Sequence, residues 1–187
     1  MFLRKPTRSR EPLPLTMTGV RMGERVLQIG VHDEALTGLL AARPGLSGHA
    51  AIVTLSESAA ARARHACEQA AVVADVTVTA AAAPHIDGSP FDAAIVHDAD
   101  AEVTGLAPAE RLALFRACHH ALRAGGRLIL IDSLPVSGIS ALLGRSKSQS
   151  EPPALQALTG ALEAAGFRPV RLLAEREGYR FIEGLKS

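Results

Sequence analysis

A histidine and three carboxylic acids lie close together near the middle of this chain, at His97, Asp98, Asp100 and Glu102. They follow the apolar run 93–96, which is typical of a buried strand. The ordinary pKa of histidine lies near neutral pH, so His97 is a candidate general base that Asp98 or Asp100 orients. Two alternatives stay open: the residues only cap the following loop, or the acids bind a divalent cation. We assign no metal and take His97 and Asp98 as the candidate catalytic residues.

A single glycine, Gly30, separates the apolar run 26–29 from a helical pattern at 34–42. A strand, a tight turn and a helix start in this order form the usual nucleotide-binding corner of an α/β sheet. Only small residues let a ligand approach the backbone there. His32 lies inside the turn and caps the helix, fills the pocket, or binds an anion when protonated. We favour a filled pocket over a catalytic role for His32.

Strand and helix patterns alternate through most of the chain. The predicted strands cover 26–29, 50–55, 72–79, 93–96 and 128–131, and the predicted helices cover 34–42, 56–69, 108–123 and 154–165. Short, wholly apolar strands between helices indicate a parallel sheet covered on both faces. The runs 170–174 and 179–183 are too close in sequence to be parallel. The sequence therefore predicts an α/β fold: a doubly wound, mostly parallel seven-stranded sheet with an antiparallel C-terminal hairpin.

The first twenty residues differ from the rest in composition. Residues 1–20 carry a basic cluster and a proline-rich stretch, so we predict an N-terminal arm that is extended at 11–14. The remainder, 21–187, is predicted to form one domain. Its longest non-periodic segment, 135–153, either covers a substrate or serves as a linker.

Four short motifs stand in order along this domain. A charged lead-in to the first strand lies at 23–27, a Phe-Asp pair precedes the fourth strand within 88–96, a glycine turn joins a helix to the fifth strand within 122–130, and Ala-Ala-Gly-Phe opens the final hairpin at 164–167. Together they resemble the class I S-adenosylmethionine-dependent methyltransferases from about residue 21 to the C-terminus. The resemblance implies a Rossmann-like methyltransferase fold with S-adenosylmethionine as the cofactor.

The resemblance also implies which residues contact that cofactor. They lie in the glycine turn and after the second, third and fourth strands: Gln28, Gly30, His32, Thr54, Leu55, Thr79, Ala80 and His97.

Several of these positions depart from the residue types of the family. Gln28 stands where the family has an acid, and Thr54 replaces the acid that accepts hydrogen bonds from both ribose hydroxyls. Thr79 replaces a third acid, and Glu34 replaces a glycine and puts a negative charge near the carboxylate of the cofactor. These departures predict weak binding of S-adenosylmethionine.

Composition excludes several other classes of protein. With 187 residues, 48% of them hydrophobic and 21% charged, the chain is typical of a globular domain. A net charge of +1 and only 3% aromatic residues argue against a nucleic-acid partner. No apolar run is long enough for a membrane span, so no membrane partner is expected. Cys67 and Cys118 are predicted to be buried thiols of a cytoplasmic protein.

The leading functional interpretation is methyl transfer from S-adenosylmethionine to a small-molecule acceptor, a reaction that depends on alignment of the reactants. The alternative is a non-catalytic relative that serves as a binding or dimerisation module, for which a homodimer is the expected assembly. A nucleotide oxidoreductase is a weaker interpretation, because the glycine fingerprint of that class is absent and the C-terminal hairpin argues against it.

Overall fold

The fold comes from a computed structural model that describes residues 11–31, 33–88, 90–98, 102–103, 105–134 and 155–187. Residues 1–10 of the predicted arm, His32, Asp100 and the segment 135–153 lie outside the described residues.

Seven strands in these residues form one sheet. The strands are β1 (Arg25–Ile29), β2 (His49–Thr54), β3 (Asp75–Val78), β4 (Phe91–Asp98), β5 (Leu122–Ser133), β6 (Val170–Arg176) and β7 (Tyr179–Leu185). Their order in the sheet is β3-β2-β1-β4-β5-β7-β6. The first five strands are parallel to one another, and β7 is antiparallel to both β5 and β6. The predicted sheet, with its antiparallel C-terminal hairpin, is confirmed.

Helices cover both faces of this sheet. They are α1 (Leu13–Met17), α2 (Glu34–Ala42), α3 (Glu57–Gln69), α4 (Pro108–Ala121) and α5 (Leu155–Ala164). Successive strand residues point to opposite faces. Ala94 and Val96 of β4 pack with α4 and α5, on what we call the α4 face. Ala93 and Ile95 pack with α1 and α2, on the α2 face. Each of the central strands β1, β4 and β5 thus contributes to two apolar layers, which explains why their buried stretches contain few polar residues.

The prediction of an extended segment at 11–14 is wrong for residues 13 and 14. Helix α1 begins at Leu13, directly after Pro12, and Pro14 lies in its first turn. Proline is tolerated in a first turn because the N–H that it lacks would have no helical partner there. Leu15 is buried against the α2 face, so tertiary packing stabilises a helix of only five residues.

Two strand ends also differ from the prediction, and both differences lie near the predicted site. Strand β4 continues to Asp98, so His97 and Asp98 are its last two residues and do not lie beyond it. Strand β5 continues to Ser133 and includes Asp132. Both cysteines are buried and unbridged, as predicted. None of the described helices is long and apolar enough to cross a membrane.

Candidate functional site

The carboxyl ends of the parallel strands bring most of the predicted site residues to one edge of the sheet, which we call the carboxyl edge. Gln28 and Gly30 lie at the end of β1, Thr54 and Leu55 at the end of β2, Thr79 and Ala80 after β3, and His97 and Asp98 at the end of β4. The strand register keeps these ends level, since Ile29 pairs with Val53 on one side and with Val96 on the other.

Gly30 is required at the turn after β1 by both conformation and space. Its φ is +78°, a value that residues with a side chain rarely adopt. A Cβ atom at this position would lie 3.3 Å from the carbonyl oxygen of His97 and 3.6 Å from Oε2 of Glu102. The backbone N–H of Gly30 donates to the carbonyl of Val53 at 2.9 Å. Gly30 and the start of α2 form what we call the glycine corner.

The side chain of Gln28 stabilises the glycine corner through two hydrogen bonds. This side chain is buried, and Nε2 donates to the carbonyl of Gly30 and to Oγ1 of Thr37, both at 3.1 Å. A carboxylate at this position could not donate these bonds, so the amide ties the turn to the second turn of α2. The other amide atom, Oε1, is buried and has no hydrogen-bond partner among the residues that the structure describes.

The start of α2 is capped by its own residues. Oδ1 of Asp33 accepts a hydrogen bond from the N–H of Leu36 at 3.1 Å, so Asp33 occupies the capping position considered for His32. Glu34 forms an ion pair with Arg62 of α3, with Nε and Oε1 3.1 Å apart. Arg62 therefore supplies a counter-charge for the carboxylate that was predicted to repel the cofactor.

The hydroxyl groups of both threonines at this edge contact the backbone. Thr54 is fully buried, and its Oγ1 lies 3.1 Å from the carbonyl oxygen of Ser56 and 3.3 Å from that of Thr77, which share its one hydroxyl hydrogen. Oγ1 of Thr79 accepts from the N–H of His85 at 2.7 Å. Both hydroxyls therefore support the loops after β2 and β3, and neither supplies the charge of an acid.

His97 and Asp98 are both buried but belong to opposite faces of β4. His97 continues the row of Ile95 on the α2 face, whereas Asp98 continues the row of Val96 on the α4 face. Oδ1 of Asp98 accepts from the N–H of Val103 at 2.8 Å and so fixes the loop after β4. Asp98 thus has the loop-capping contact considered above, and alternation along the strand separates its side chain from that of His97.

Two further charged residues of this edge were not predicted, Asp132 and Arg180. Asp132, the next-to-last residue of β5, lies beside Asp98, and Arg180 lies beside Asp132 on β7. Arg180 donates to Oδ2 of Asp132 through Nε, at 3.1 Å, and through Nη2. Burial raises the pKa of Asp132 and the charge of Asp98 adds to the increase, while Arg180 opposes it. An acid directly after an apolar strand is a signal for Asp132, but the pairing with Arg180 depends on the register of the hairpin.

A concavity of about 410 Å³ lies outside the carboxyl edge, where α2 and α3 cross. Its lining residues are Glu34, Ala35, Gly38, Leu39, Ala66, Gln69 and Ala70. The helices can approach closely because Gly38 has no side chain. A Cβ atom at this position would lie only 2.8 Å from the carbonyl oxygen of Ala66. Of these lining residues, Glu34 is the one that the sequence analysis placed near the cofactor. Among the described residues, no group of three or more His, Cys, Asp or Glu side chains is arranged to hold a metal ion.

Comparison with solved structures identifies the fold. PigF with SAH is 21% identical, with a TM-score of 0.64 over 88% of this chain and 51% of that chain. The S-adenosylmethionine-dependent methyltransferase SibL, in its apo form, is 20% identical, with a TM-score of 0.67 over 91% of this chain and 52% of SibL. A SAM-dependent methyltransferase from Aquifex aeolicus is 17% identical, with a TM-score of 0.69 over 98% of this chain and 94% of that protein. No protein-family model and no curated protein matches this sequence.

At sequence identities this low, the similarity shows a shared fold and nothing further. The chain spans about half the length of PigF and SibL and nearly the whole length of the Aquifex protein. The predicted Rossmann-like fold of the class I methyltransferases is therefore confirmed.

Proposed function

We propose that this chain is an S-adenosylmethionine-dependent methyltransferase that acts on a small-molecule acceptor. The observation that carries the proposal is the glycine corner, where Gly30 has a left-handed conformation and leaves space that a Cβ would fill. A ligand can approach the backbone closely at such a corner. The solved structures of the same fold support this choice of ligand, because PigF was solved with SAH.

The residues of the carboxyl edge fit this cofactor in part. Gly30 gives access, and Gln28 holds the turn through its two hydrogen bonds. Leu55 and Ala80 offer apolar contacts beside Thr54 and Thr79 at the ends of β2 and β3. The bound cofactor would supply an activated methyl group, and the task of the chain is to align that group with the acceptor. We expect weak binding, because the threonines contribute no charge.

We propose that His97 acts as the base that takes a proton from the acceptor. Its position at the end of β4, with its carbonyl oxygen beside the glycine corner, supports this role. Asp98 is then a positioning residue, because it holds the loop after β4 through Val103.

A second candidate function is a binding or dimerisation module without catalysis. The hydroxyl of Thr54 already donates to two backbone carbonyls, and this observation favours a fold that has lost its cofactor contacts. Binding measurements distinguish the two candidates.

Calorimetry of the purified full chain with S-adenosylmethionine and S-adenosylhomocysteine tests the proposal. We expect binding of both, and we expect Gly30→Ala to reduce the affinity for S-adenosylhomocysteine at least tenfold, since its Cβ enters the space of the corner. Gly160→Ala is the matched control, because a Cβ at this exposed position of α5 would meet no atom within 4 Å. If the folded wild-type protein binds neither compound, the enzyme proposal fails and the module remains.

Activity is measured as release of S-adenosylhomocysteine from S-adenosylmethionine with a panel of small phenols, amines and carboxylic acids. We expect His97→Ala to lower turnover by about 10²–10⁴-fold, the usual loss when a general base is removed. The affinity for S-adenosylhomocysteine should change little. His65→Ala, at an exposed position of α3, should keep full activity. Unchanged turnover in His97→Ala would exclude His97 as the base.

A further inference from the structure

Large apolar side chains are exposed at the amino edge of the sheet, where the parallel strands begin. Met22 precedes β1 and is 80% exposed, Leu46 precedes β2 and is fully exposed, and Val73 precedes β3 and is 95% exposed. Because β2 lies between β1 and β3, the three residues form a row across two strand spacings, or roughly 10 Å. We call this row the amino-edge patch. Apolar side chains grouped in this way on a surface are typical of a contact with another protein.

The two loops that carry most of the amino-edge patch are joined to each other. The N–H of Gly23, next to Met22, donates to the carbonyl of Pro44 at 2.8 Å. A Cβ atom on Gly45 would lie 3.4 Å from Cγ of Met22, so Met22 lies against the turn that carries Leu46. Side chains that are held in position before a partner binds lose little conformational entropy on binding. The structure of these loops therefore favours association.

Charges of opposite sign lie at the two ends of the amino-edge patch. Arg21 lies at the β1 end, next to Met22, where its side chain is exposed and has no ion pair among the described residues. Asp75, the first residue of β3, lies at the other end, near Val73. The side chain of Asp75 is 71% exposed, and its Oδ2 lies 3.4 Å from Nε2 of His49. The patch is thus apolar in the middle, positive at one end and negative at the other.

We infer that the amino-edge patch is the interface of a homodimer in which two copies of this chain are related by a two-fold axis. Such an axis brings the same surface of both copies together, so each end of the patch faces the opposite end of its counterpart. Arg21 of each copy then lies near Asp75 of the other, on either side of an apolar centre at Leu46. The patch is complementary to itself, whereas a purely acidic or purely basic partner would match only one of its ends.

The dimer leaves the candidate functional site accessible. The patch lies where strands β1 to β3 begin, whereas Gly30 and His97 lie at the opposite, carboxyl edge of the sheet. The inference therefore goes beyond the proposed methyl transfer and does not depend on it.

Sedimentation velocity of the purified full chain, over a series of protein concentrations, measures the dissociation constant of the dimer. We expect an equilibrium between monomer and dimer in the wild type. Leu46→Asp should raise the dissociation constant at least about tenfold, because it puts an unpaired charge at the apolar centre. Leu172→Asp is the matched control: Leu172 is 41% exposed on the edge strand β6, so this variant should dimerise like the wild type.

Charge reversal tests the two-fold arrangement itself. Arg21→Asp and Asp75→Arg each place like charges opposite one another and should raise the dissociation constant at least about tenfold. The double variant, Arg21→Asp with Asp75→Arg, restores opposite charges at both ends of the interface and should dimerise like the wild type. Recovery in the double variant also shows that the single substitutions act at the interface and not through misfolding.

Three results would overturn the inference. The first is a wild-type chain that stays monomeric at every concentration, in which case the patch binds a different partner or none. The second is a dimer that Leu46→Asp leaves intact, and the third is a double variant that stays as weak as the single variants. Calorimetry of the same wild-type sample with S-adenosylhomocysteine tests the proposed function separately, so either proposal can fail while the other stands.

Discussion

The pKa values of acids at the two edges of the sheet are shifted in opposite directions. At the amino edge, where the parallel strands begin, Arg127 donates to both carboxylate oxygens of Glu24 at 3.0 and 2.9 Å. Asp92 accepts from the N–H of Arg25 at 2.8 Å and from Nε of Arg123 at 2.6 Å. Burial by itself would raise the pKa of Glu24 and of Asp92, but these bonds and charges lower both. Both of these acids are thus paired with an arginine.

At the carboxyl edge, two buried acids lie side by side. Asp98 and Asp132 are neighbours on adjacent strands, and Arg180 forms its ion pair with Asp132. The pKa of Asp132 is raised by burial and by Asp98, in spite of Arg180. Perturbed acids concentrate at functional sites, where a protein accepts a cost in stability. The comparison indicates that arginine partners stabilise the ionised acids of the amino edge, whereas burial and a neighbouring carboxylate disfavour the ionised form of Asp132 at the carboxyl edge.

Removal of Arg180 should have the largest effect on stability. Arg180→Met leaves Asp132 buried beside Asp98 without its guanidinium partner. Loss of one member of a buried ion pair typically costs about 3–5 kcal/mol in the free energy of unfolding. Urea denaturation at neutral pH measures this loss. Arg171→Met is the control: Arg171 pairs with Glu183 but its side chain is 61% exposed, so the expected cost is below about 1 kcal/mol.

The pH dependence of Arg180→Met tests the cause of its effect. An acid whose pKa is raised in the folded state binds its proton more tightly there than in the unfolded chain, so its protonation on lowering the pH favours folding. The deficit of Arg180→Met should therefore shrink as the pH falls through the raised pKa of Asp132. A deficit below about 1 kcal/mol, or one that does not change with pH, would contradict a buried and uncompensated carboxylate.

At the amino edge, Arg127→Met should have a smaller effect with a different pH dependence. The loss of charge-assisted hydrogen bonds to Glu24 should cost about 1.5–3 kcal/mol in the free energy of unfolding at neutral pH. The pKa of Glu24 is lowered, so its stabilisation is complete above the ordinary pKa of glutamate and is lost as the pH falls through the lowered value. The part of the deficit that comes from Glu24 should disappear only below about pH 4. The part that comes from the lost bonds of Arg127 to the carbonyls of Thr18 and Gly19 should remain at every pH.

Urea denaturation over a pH series compares the two edges directly. Arg64→Met is the control for the amino edge, because Arg64 lies 3.9 Å from an exposed Glu57 and should contribute less than about 0.5 kcal/mol. If the deficits of Arg127→Met and Arg180→Met disappear over the same pH range, the distinction between the edges is wrong.

The smallest expected effect is that of Thr54→Val. The substitution preserves the shape of the side chain but removes the hydroxyl that donates to Ser56 and Thr77, at a cost of about 1 kcal/mol in thermal or urea unfolding. Thr54→Ser keeps the hydroxyl and is the control. Calorimetry of both variants with S-adenosylhomocysteine tests whether the hydroxyl of Thr54 also contacts the ribose of the ligand. If Thr54→Val binds the ligand as tightly as the wild type, it does not.

The sequence could predict the parts of this fold that depend on local pattern. Strands 26–29 and 93–96 are short, wholly apolar and separated by helical patterns, and this periodicity determined a parallel sheet. The close spacing of 170–174 and 179–183 determined the antiparallel hairpin. Gly30 could be located as the turn, because no other residue between the first strand and helix has the required freedom of backbone conformation.

Tertiary structure decided where the polar atoms of the site are directed. Asp132 and Arg180 are separated by 48 residues, and only the register of β5 and β7 makes them neighbours. The position of Glu102 over Gly30 depends on the bond between Asp98 and Val103, and helix α1 depends on the burial of Leu15. Apolar periodicity is repeated along each segment, so it can be recognised from that segment alone. A hydrogen bond or an ion pair between distant segments depends on how both segments are placed and on their register.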